Sequence, residues 1–252
     1  MRARKLALLL CVLSYPWCGK ADISLGAPAS WARTVNALVD GWRAGGGEDV
    51  TVSYGNSDDQ AVEVEAGDHT FDVIIMGDPH ALYRLVSKGL NLPGLPLASS
   101  PIVLAATERD KDKTIEFDAQ FPARLGKDLI AVYDPEGDGI GVATRELLSQ
   151  DGLWEPLTRH IMQANTPGAL IHMLKEGAAR YAILLRADLL NQPSLHEAKL
   201  LSGDGEGQEY TYLAVPVRAR FRPEVGRFLG YLRSNAAAEE IRKRGFTPRM
   251  GE

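Results

Sequence analysis

Hydrophobic positions along the chain fall into two alternating patterns. Short runs dense in aliphatic and β-branched residues, at 22–26, 50–54, 73–76, 102–106, 129–133 and 181–184, predict strands. Between them lie stretches with apolar residues on one helical face. In 30–43, Val35, Leu38, Val39 and Trp42 recur at i, i+3, i+4 and i+7, and in 79–88 Leu82, Leu85 and Val86 share a face that ends at Gly89. The stretches 141–150, 167–176 (Ala169, Leu170, Met173, Leu174) and 222–244 follow the same period. Strands that alternate with helices predict an α/β architecture with parallel sheets. No internal repeat or low-complexity segment interrupts it.

The first residues obey a different logic. Arg2, Arg4 and Lys5 precede an apolar run from Leu6 to Leu13 that Pro16 breaks, and the small residues Gly19 and Ala21 suit a cleavage point before Asp22. This layout predicts a secretory signal peptide over 1–21, since a membrane span needs about 20 apolar residues. A retained anchor helix is the alternative, and no second apolar stretch follows it. A lipid-modified Cys18 would follow Tyr15, Pro16 and Trp17, bulky residues where such sites want small ones. Both cysteines, Cys11 and Cys18, lie in the leader, so the mature chain is expected to contain no disulfide, thiolate metal site or cysteine nucleophile. Without Arg2, Arg4, Lys5 and Lys20, 24 cations face 33 acids, a net charge near −9. That balance, with no basic stripe, argues against nucleic acid as a partner.

Two segments look like boundaries: the charged stretch 107–114 and the Gly- and acid-rich stretch 201–209, which precedes a strand at 210–217. They predict a discontinuous first lobe, 22–104 plus 214–252, and a second lobe, 105–213, joined by two crossing strands. The cleft between such lobes is a preferred place for a small ligand.

Four strand-to-helix turns share a chemical character. They are Gly26-Ala27-Pro28-Ala29-Ser30, Gly55-Asn56-Ser57, the run from Asp134 to Gly141, and Asn165-Thr166. Small and hydroxylic residues there let a ligand approach the free N–H groups of a helix start, where the helix dipole favours negative charge. Ser30, Ser57 and Thr166 add neutral hydroxyl donors. Each alone is equally an ordinary N-cap, but in parallel α/β sheets such turns open at one carboxyl edge. Their recurrence predicts a site for a small oxyanion.

At this point the chain resembles the periplasmic molybdate-binding proteins of ABC importers. The resemblance rests on Ile23 to Ser30, on Ser53-Tyr54-Gly55-Asn56-Ser57 followed by Glu65-Ala66-Gly67 and Asp72-Val73, on Asp134-Pro135-Glu136, and on Gly245-Phe246-Thr247-Pro248. It runs in order across almost the whole mature chain. It implies a two-lobed periplasmic-binding fold of type II and a monomer in the periplasm that hands molybdate or tungstate to the membrane subunits of an importer. No cofactor, no reaction and no membrane insertion of the mature chain are implied. Ser30 and Ser57 would ligate through hydroxyl and backbone N–H, contacting molybdate through its oxygens rather than as ligands to a bare metal ion. Ile140 and Thr166 would ligate through backbone N–H. The sequence departs from the family where a tyrosine hydroxyl is usual, since Leu185 stands there. Asp58 and Asp59 replace a Ser and a Thr, and the bulky Trp31 follows Ser30. These departures keep open another small anion such as sulfate, a phosphonate or an organic carboxylate. A sensor that does not transport is a further alternative.

Other constellations are weaker. Asp134 to Gly139 begins like a calcium loop, but position 12 is Arg145. Gly137, Gly139 and Gly141 alternate without G-x-G-x-x-G spacing. His69, His80, His160, His172 and His196 are scattered, and neither H-E-x-x-H nor G-x-S-x-G occurs, which argues against an enzyme. Arg242, Lys243 and Arg244 suit the cationic last turn of a helix.

Overall fold

The computed structural model describes residues 22–68, 70–111, 113–202 and 209–249. The expected leader, 1–21, lies outside the described residues, as do His69 and residues 203–208 of the Gly- and acid-rich stretch. The chain begins with β1 (Ile23–Ala27), a short 3-10 turn (Ala29–Trp31) and α1 (Ala32–Ala44). It continues through β2 (Val50–Tyr54), α2 (Ser57–Ala66), β3 (Val73–Met76), α3 (Pro79–Ser87) and β4 (Leu95–Ser100). A second series follows: β5 (Ile102–Thr107), α4 (Phe121–Leu125), β6 (Ile130–Tyr133), α5 (Gly139–Gln150), α6 (Trp154–Leu157), β7 (Ile161–Ala164), α7 (Pro167–Lys175), β8 (Tyr181–Leu185) and β9 (Leu195–Leu200). The chain then adds β10 (Tyr210–Pro216), α8 (Pro223–Leu232), α9 (Asn235–Arg242) and β11 (Thr247–Pro248).

Among the described residues these strands form two sheets, ordered β11-β4-β10-β3-β1-β2 and β7-β6-β8-β5-β9. The expected parallel pairing holds for β1 with β2 and β3, and for β6 with β7 and β8. It fails elsewhere: β10 runs antiparallel to β3 and β4, and β5 runs antiparallel to β8 and β9. Both sheets are therefore mixed, because the strands beside the crossings arrive from the opposite end without a helical crossover to reverse them. Strands β4, β7 and β9 escape periodicity for local reasons: β4 carries Pro96 and two serines, while β7 and β9 lie at an edge of their sheet and stay partly exposed. The single helix expected over 222–244 is two, because Ser234 takes an extended conformation and its hydroxyl accepts the Ala237 amide as an N-cap at 3.2 Å.

The chain passes from one sheet to the other between Ser100 and Ile102 and returns between Leu200 and Tyr210. The boundaries expected at 104/105 and 213/214 thus fall inside β5 and β10. Ladder pairing from Ile102↔Leu185 and from Tyr210↔Ser100 decides the handover, and composition does not report it. The two crossings run side by side. The Ile102 amide donates to Ser202 Oγ at 2.7 Å, and the Leu201 and Ser202 amides donate to the Ile102 carbonyl at 3.0 and 3.1 Å.

One contiguous apolar cluster threads both sheets. Trp31, a departure at sequence level, is a core residue: it stacks on Tyr212 with ring centroids 4.3 Å apart and meets Phe246 edge-on at 5.7 Å. Such aromatic pairs add about 0.5–1.5 kcal/mol each beyond their buried area. Below β1, the fully buried Asp72 carboxylate accepts the Ser24 amide at 2.9 Å and the Arg220 guanidinium at 3.1 Å, and it also pairs with Arg222. It ties β1 and β3 to the segment that leads into α8. Asp72→Ala is expected to cost about 3 kcal/mol, the low end for a broken buried pair, because both arginines can turn back to water. Urea denaturation of the two proteins measures it.

Candidate functional site

Ser30 sits where β1 runs out. Pro28 holds an extended backbone (φ −72°, ψ 141°), and the chain then tightens into the 3-10 turn that carries Ser30 inward. The residue is 9% exposed, and its hydroxyl has no hydrogen-bond partner. Two more buried donors beside it, Trp31 Nε1 and the Tyr212 hydroxyl, are also unpartnered. A buried donor left unpaired costs about 1–3 kcal/mol, so a cluster of them marks a place where an acceptor is missing.

Facing Ser30 across the sheets is the turn that opens α5. Asp138 is its N-cap, and its Oδ1 accepts the Ile140 amide at 2.8 Å. The Ile140 N–H expected to hold a ligand is therefore directed at the protein's own carboxylate. Burial raises the pKa of the Tyr212 hydroxyl, and the Ser30 hydroxyl, close to both Tyr212 and Asp138 though bonded to neither in good geometry, opposes the rise at each. Burial nevertheless raises the Asp138 pKa above the usual carboxylate range, against the pull of the Ser30 hydroxyl and the Ile140 and Gly141 amides, and Asp134 adds to the rise. The alternating glycines serve packing. A Cβ at Gly141 would overlap the Asp134 carbonyl, and one at Gly139 would meet the Tyr210 hydroxyl at 2.5 Å and the Asp78 amide nitrogen at 3.0 Å. In the same turn Asp134 Oδ1 and Asp138 Oδ1 each accept an amide of the turn itself.

The remaining expected residues sit as follows. Ser57 is buried in the first turn of α2, but Asn56 provides the cap, accepting the Asp58 amide at 2.8 Å. The Asn56 amide group also donates to the Glu136 carbonyl at 3.4 Å, so the start of α2 abuts the α5 turn. Asp58 is turned aside by Arg84, which it binds at 3.0 Å, and Glu65 holds the same arginine. Thr166 is exposed, and its hydroxyl caps α7 by accepting the Ala169 amide at 3.3 Å. Leu185 is buried, and its N–H donates to Asp188 Oδ2 at 3.1 Å. The Tyr133 hydroxyl donates to the same oxygen at 2.8 Å, and burial pushes the Asp188 carboxyl up to about 7. Ser30 and Ile140 thus meet through Asp138, Ser57 lies behind the same turn, and Thr166 faces water. The Tyr212 hydroxyl approaches Ser30 from β10, a neighbour the sequence does not reveal because β10 joins the sheet of β1 from far along the chain.

A cleft of about 390 Å³ opens from Ser30 and Trp31. Pro167, Gly168 and Ile171 of α7 form one wall, Ala187 and Asp188 lie opposite, and Ser57, Ile140 and Thr166 do not line it. Its mouth carries Arg33, His172, Lys175, Lys243 and Arg244. Lys243 and Arg244 were assigned only to the end of a helix; nothing local in the sequence distinguishes that role from a place on a cleft wall. On the far side the halves touch: His80 Nε2 lies 2.9 Å from Glu146 Oε1 between α3 and α5. Among the described residues, no group of three His, Cys, Asp or Glu side chains could hold a metal ion, and no helix is long and apolar enough to cross a membrane.

Known proteins share the fold. The family model for bacterial extracellular solute-binding proteins matches residues 23–247. The molybdate-binding protein ModA of Escherichia coli K12 is 24% identical over 245 residues, spanning 96% of this chain and 95% of that protein. The periplasmic molybdate-binding protein of Azotobacter vinelandii superposes with a TM-score of 0.67 at 20% identity, over 89% of this chain and 98% of that one. Iron-bound HitA of Pseudomonas aeruginosa superposes at 0.75 with 14% identity, over 92% of this chain and 87% of that one. With its two mixed sheets, adjacent crossings and a cleft at the end of β1, this chain belongs to the bacterial extracellular solute-binding protein family.

Proposed function

We propose that the protein captures a small oxyanion outside the cytoplasm, molybdate or tungstate first among them, and delivers it to the membrane subunits of an ABC importer without chemical change. The sheets would be the cores of two lobes, 22–100 with 209–249 and 102–200, which bend at the paired crossings. The observation that carries the reading is the Ser30 hydroxyl, buried and unpartnered at the floor of a cleft whose mouth is cationic. An oxyanion supplies the missing acceptors for Ser30 and Tyr212 together. Arg33, Lys175, Lys243 and Arg244 draw it in, although the chain as a whole is acidic. The molybdate-binding relatives agree with this ligand class. Ser57, Ile140, Thr166 and Leu185 stay within the proposal as residues around the site: Ser57 and Ile140 behind it, Thr166 at the rim of α7, and Leu185 orienting Asp188.

A second reading, a different small anion, is favoured by Leu185 and by Asp138 at the head of α5. A calorimetric titration series of molybdate, tungstate, sulfate and phosphate separates the two. Saturable binding of at least one is expected, and no heat with any of the four rejects oxyanion capture. Ser30→Ala should weaken the bound anion by about 1–3 kcal/mol, roughly 5- to 150-fold in Kd. Charge reversal at the mouth, Lys175→Glu with Lys243→Glu, should slow association by about tenfold at low salt. Stopped-flow fluorescence should show that difference disappear at high ionic strength.

A further inference from the structure

We infer that Gly139 sets how far the two lobes close, and that its lack of a side chain lets the cleft shut on a bound anion. The inference rests on the two-lobed capture reading above. Contacts between the lobes line up along α5 and the turn before it. The Asn56 side-chain amide donates to the Glu136 carbonyl at 3.4 Å, and His80 Nε2 lies 2.9 Å from Glu146 Oε1. Between these two, Gly139 at the first position of α5 meets Tyr210 and Asp78 of the other lobe. The outer contacts can adjust, since one is a long bond and the other joins solvent-facing side chains. The Gly139 contact cannot.

A Cβ on Gly139 would stand 2.5 Å from the Tyr210 hydroxyl, 3.0 Å from the Asp78 amide nitrogen and 3.2 Å from Asp78 Cβ. Non-bonded carbon atoms settle about 3.5–4.0 Å apart, so something must yield. Tyr210 has no room to swing aside. It is buried on a strand paired with β3 and β4, and its ring lies on Gly77, where a Cβ would overlap Cζ. Asp78 offers its backbone, held by the cap of α3 in which its Oδ1 accepts the His80 amide at 2.8 Å. Each neighbour is thus rigid within its own lobe, and the pair of crossings is what can give. Added bulk at Gly139 is relieved by moving the lobes apart. Gly139 adjoins Asp138 and Ile140 in the turn that faces Ser30, so this separation opens the anion site. The backbone itself does not call for glycine: Gly139 is not among the glycines with positive φ, and a helix start accepts Ala.

Gly139→Ala tests this, with molybdate as the probe, or whichever of tungstate, sulfate and phosphate binds when molybdate does not. Calorimetry should show affinity reduced by about tenfold or more, because capture weakens by the closed fraction lost. Stopped-flow fluorescence should assign the loss to faster release, with association unchanged because the cationic mouth is intact. Tyr210→Phe alone should bind as the unaltered protein does. Combined with Gly139→Ala, it removes the atom at 2.5 Å and should recover part of the loss. A readout that needs no anion uses His80→Lys, which places an amine facing Glu146 across the lobes. Carbodiimide joins the two as an amide where they touch, and peptide mass mapping should find much less of that link once Gly139→Ala is added. Equal yields, or no link in either protein, overturn the inference. So do unchanged release, tighter binding by Gly139→Ala, or a double variant that binds no better than Gly139→Ala. A melting temperature lowered as far as in Gly141→Ala, whose Cβ would overlap the Asp134 carbonyl inside the turn, makes the contact structural and also overturns it. No heat with any of the four anions removes the oxyanion reading, and the cross-link yield then decides the inference by itself.

Discussion

Buried hydrogen-bonding groups must find partners, and the end of β1 is where this protein leaves that requirement open. Ser30, Trp31 and Tyr212 bring three buried donors there without a hydrogen bond in good geometry, with the Asp138 carboxylate close to Ser30. Many buried groups elsewhere are satisfied, although Gln60 Oε1, Thr144 Oγ1, His196 Nδ1 and the Tyr231 hydroxyl lack partners too. Asp72 gathers two arginines and an amide, Asp188 gathers Tyr133 and Leu185, and Asp78 and Thr166 cap their own helices. What sets Ser30 and Trp31 apart is their place on the cleft, where the proposed anion would meet a demand for an acceptor.

Electrostatics gives the demand its direction and its restriction. An acidic chain that concentrates cations at one mouth creates a local field opposite to its net charge, and clefts focus such fields. Asp138 works in the other sense at the head of α5. It takes the Ile140 amide, and with it much of the anion-attracting end of α5, so the site differs from a purely neutral cage of dipoles.

The architecture lets these parts meet. The crossings lie next to each other and are bonded through Ile102 and Ser202. The glycines of the α5 turn permit close approach: Gly139 accepts the Tyr210 hydroxyl against its backbone, a contact that any side chain would hold apart.

Periodicity by itself determined most helices, the strands rich in β-branched residues and the turns with small or hydroxylic residues, because those signals depend on neighbours within a few positions. The resemblance to molybdate-binding proteins was legible for the same reason, since it sits in short contiguous turns. Ser30 could be singled out from its turn alone. What required the tertiary structure was everything set by pairing across long separations. Antiparallel β5 and β10, the true handover points and the edge strands depend on ladder partners far away in sequence. Tyr212 joins Ser30 because β10 returns to the first sheet beside β3, and Lys243 and Arg244 reach the cleft because α9 packs on α1. Asp138 reads as an ordinary residue in a loop until folding removes the water around it. Its consequence comes from burial and from what stands opposite, and neither is a property of the local sequence.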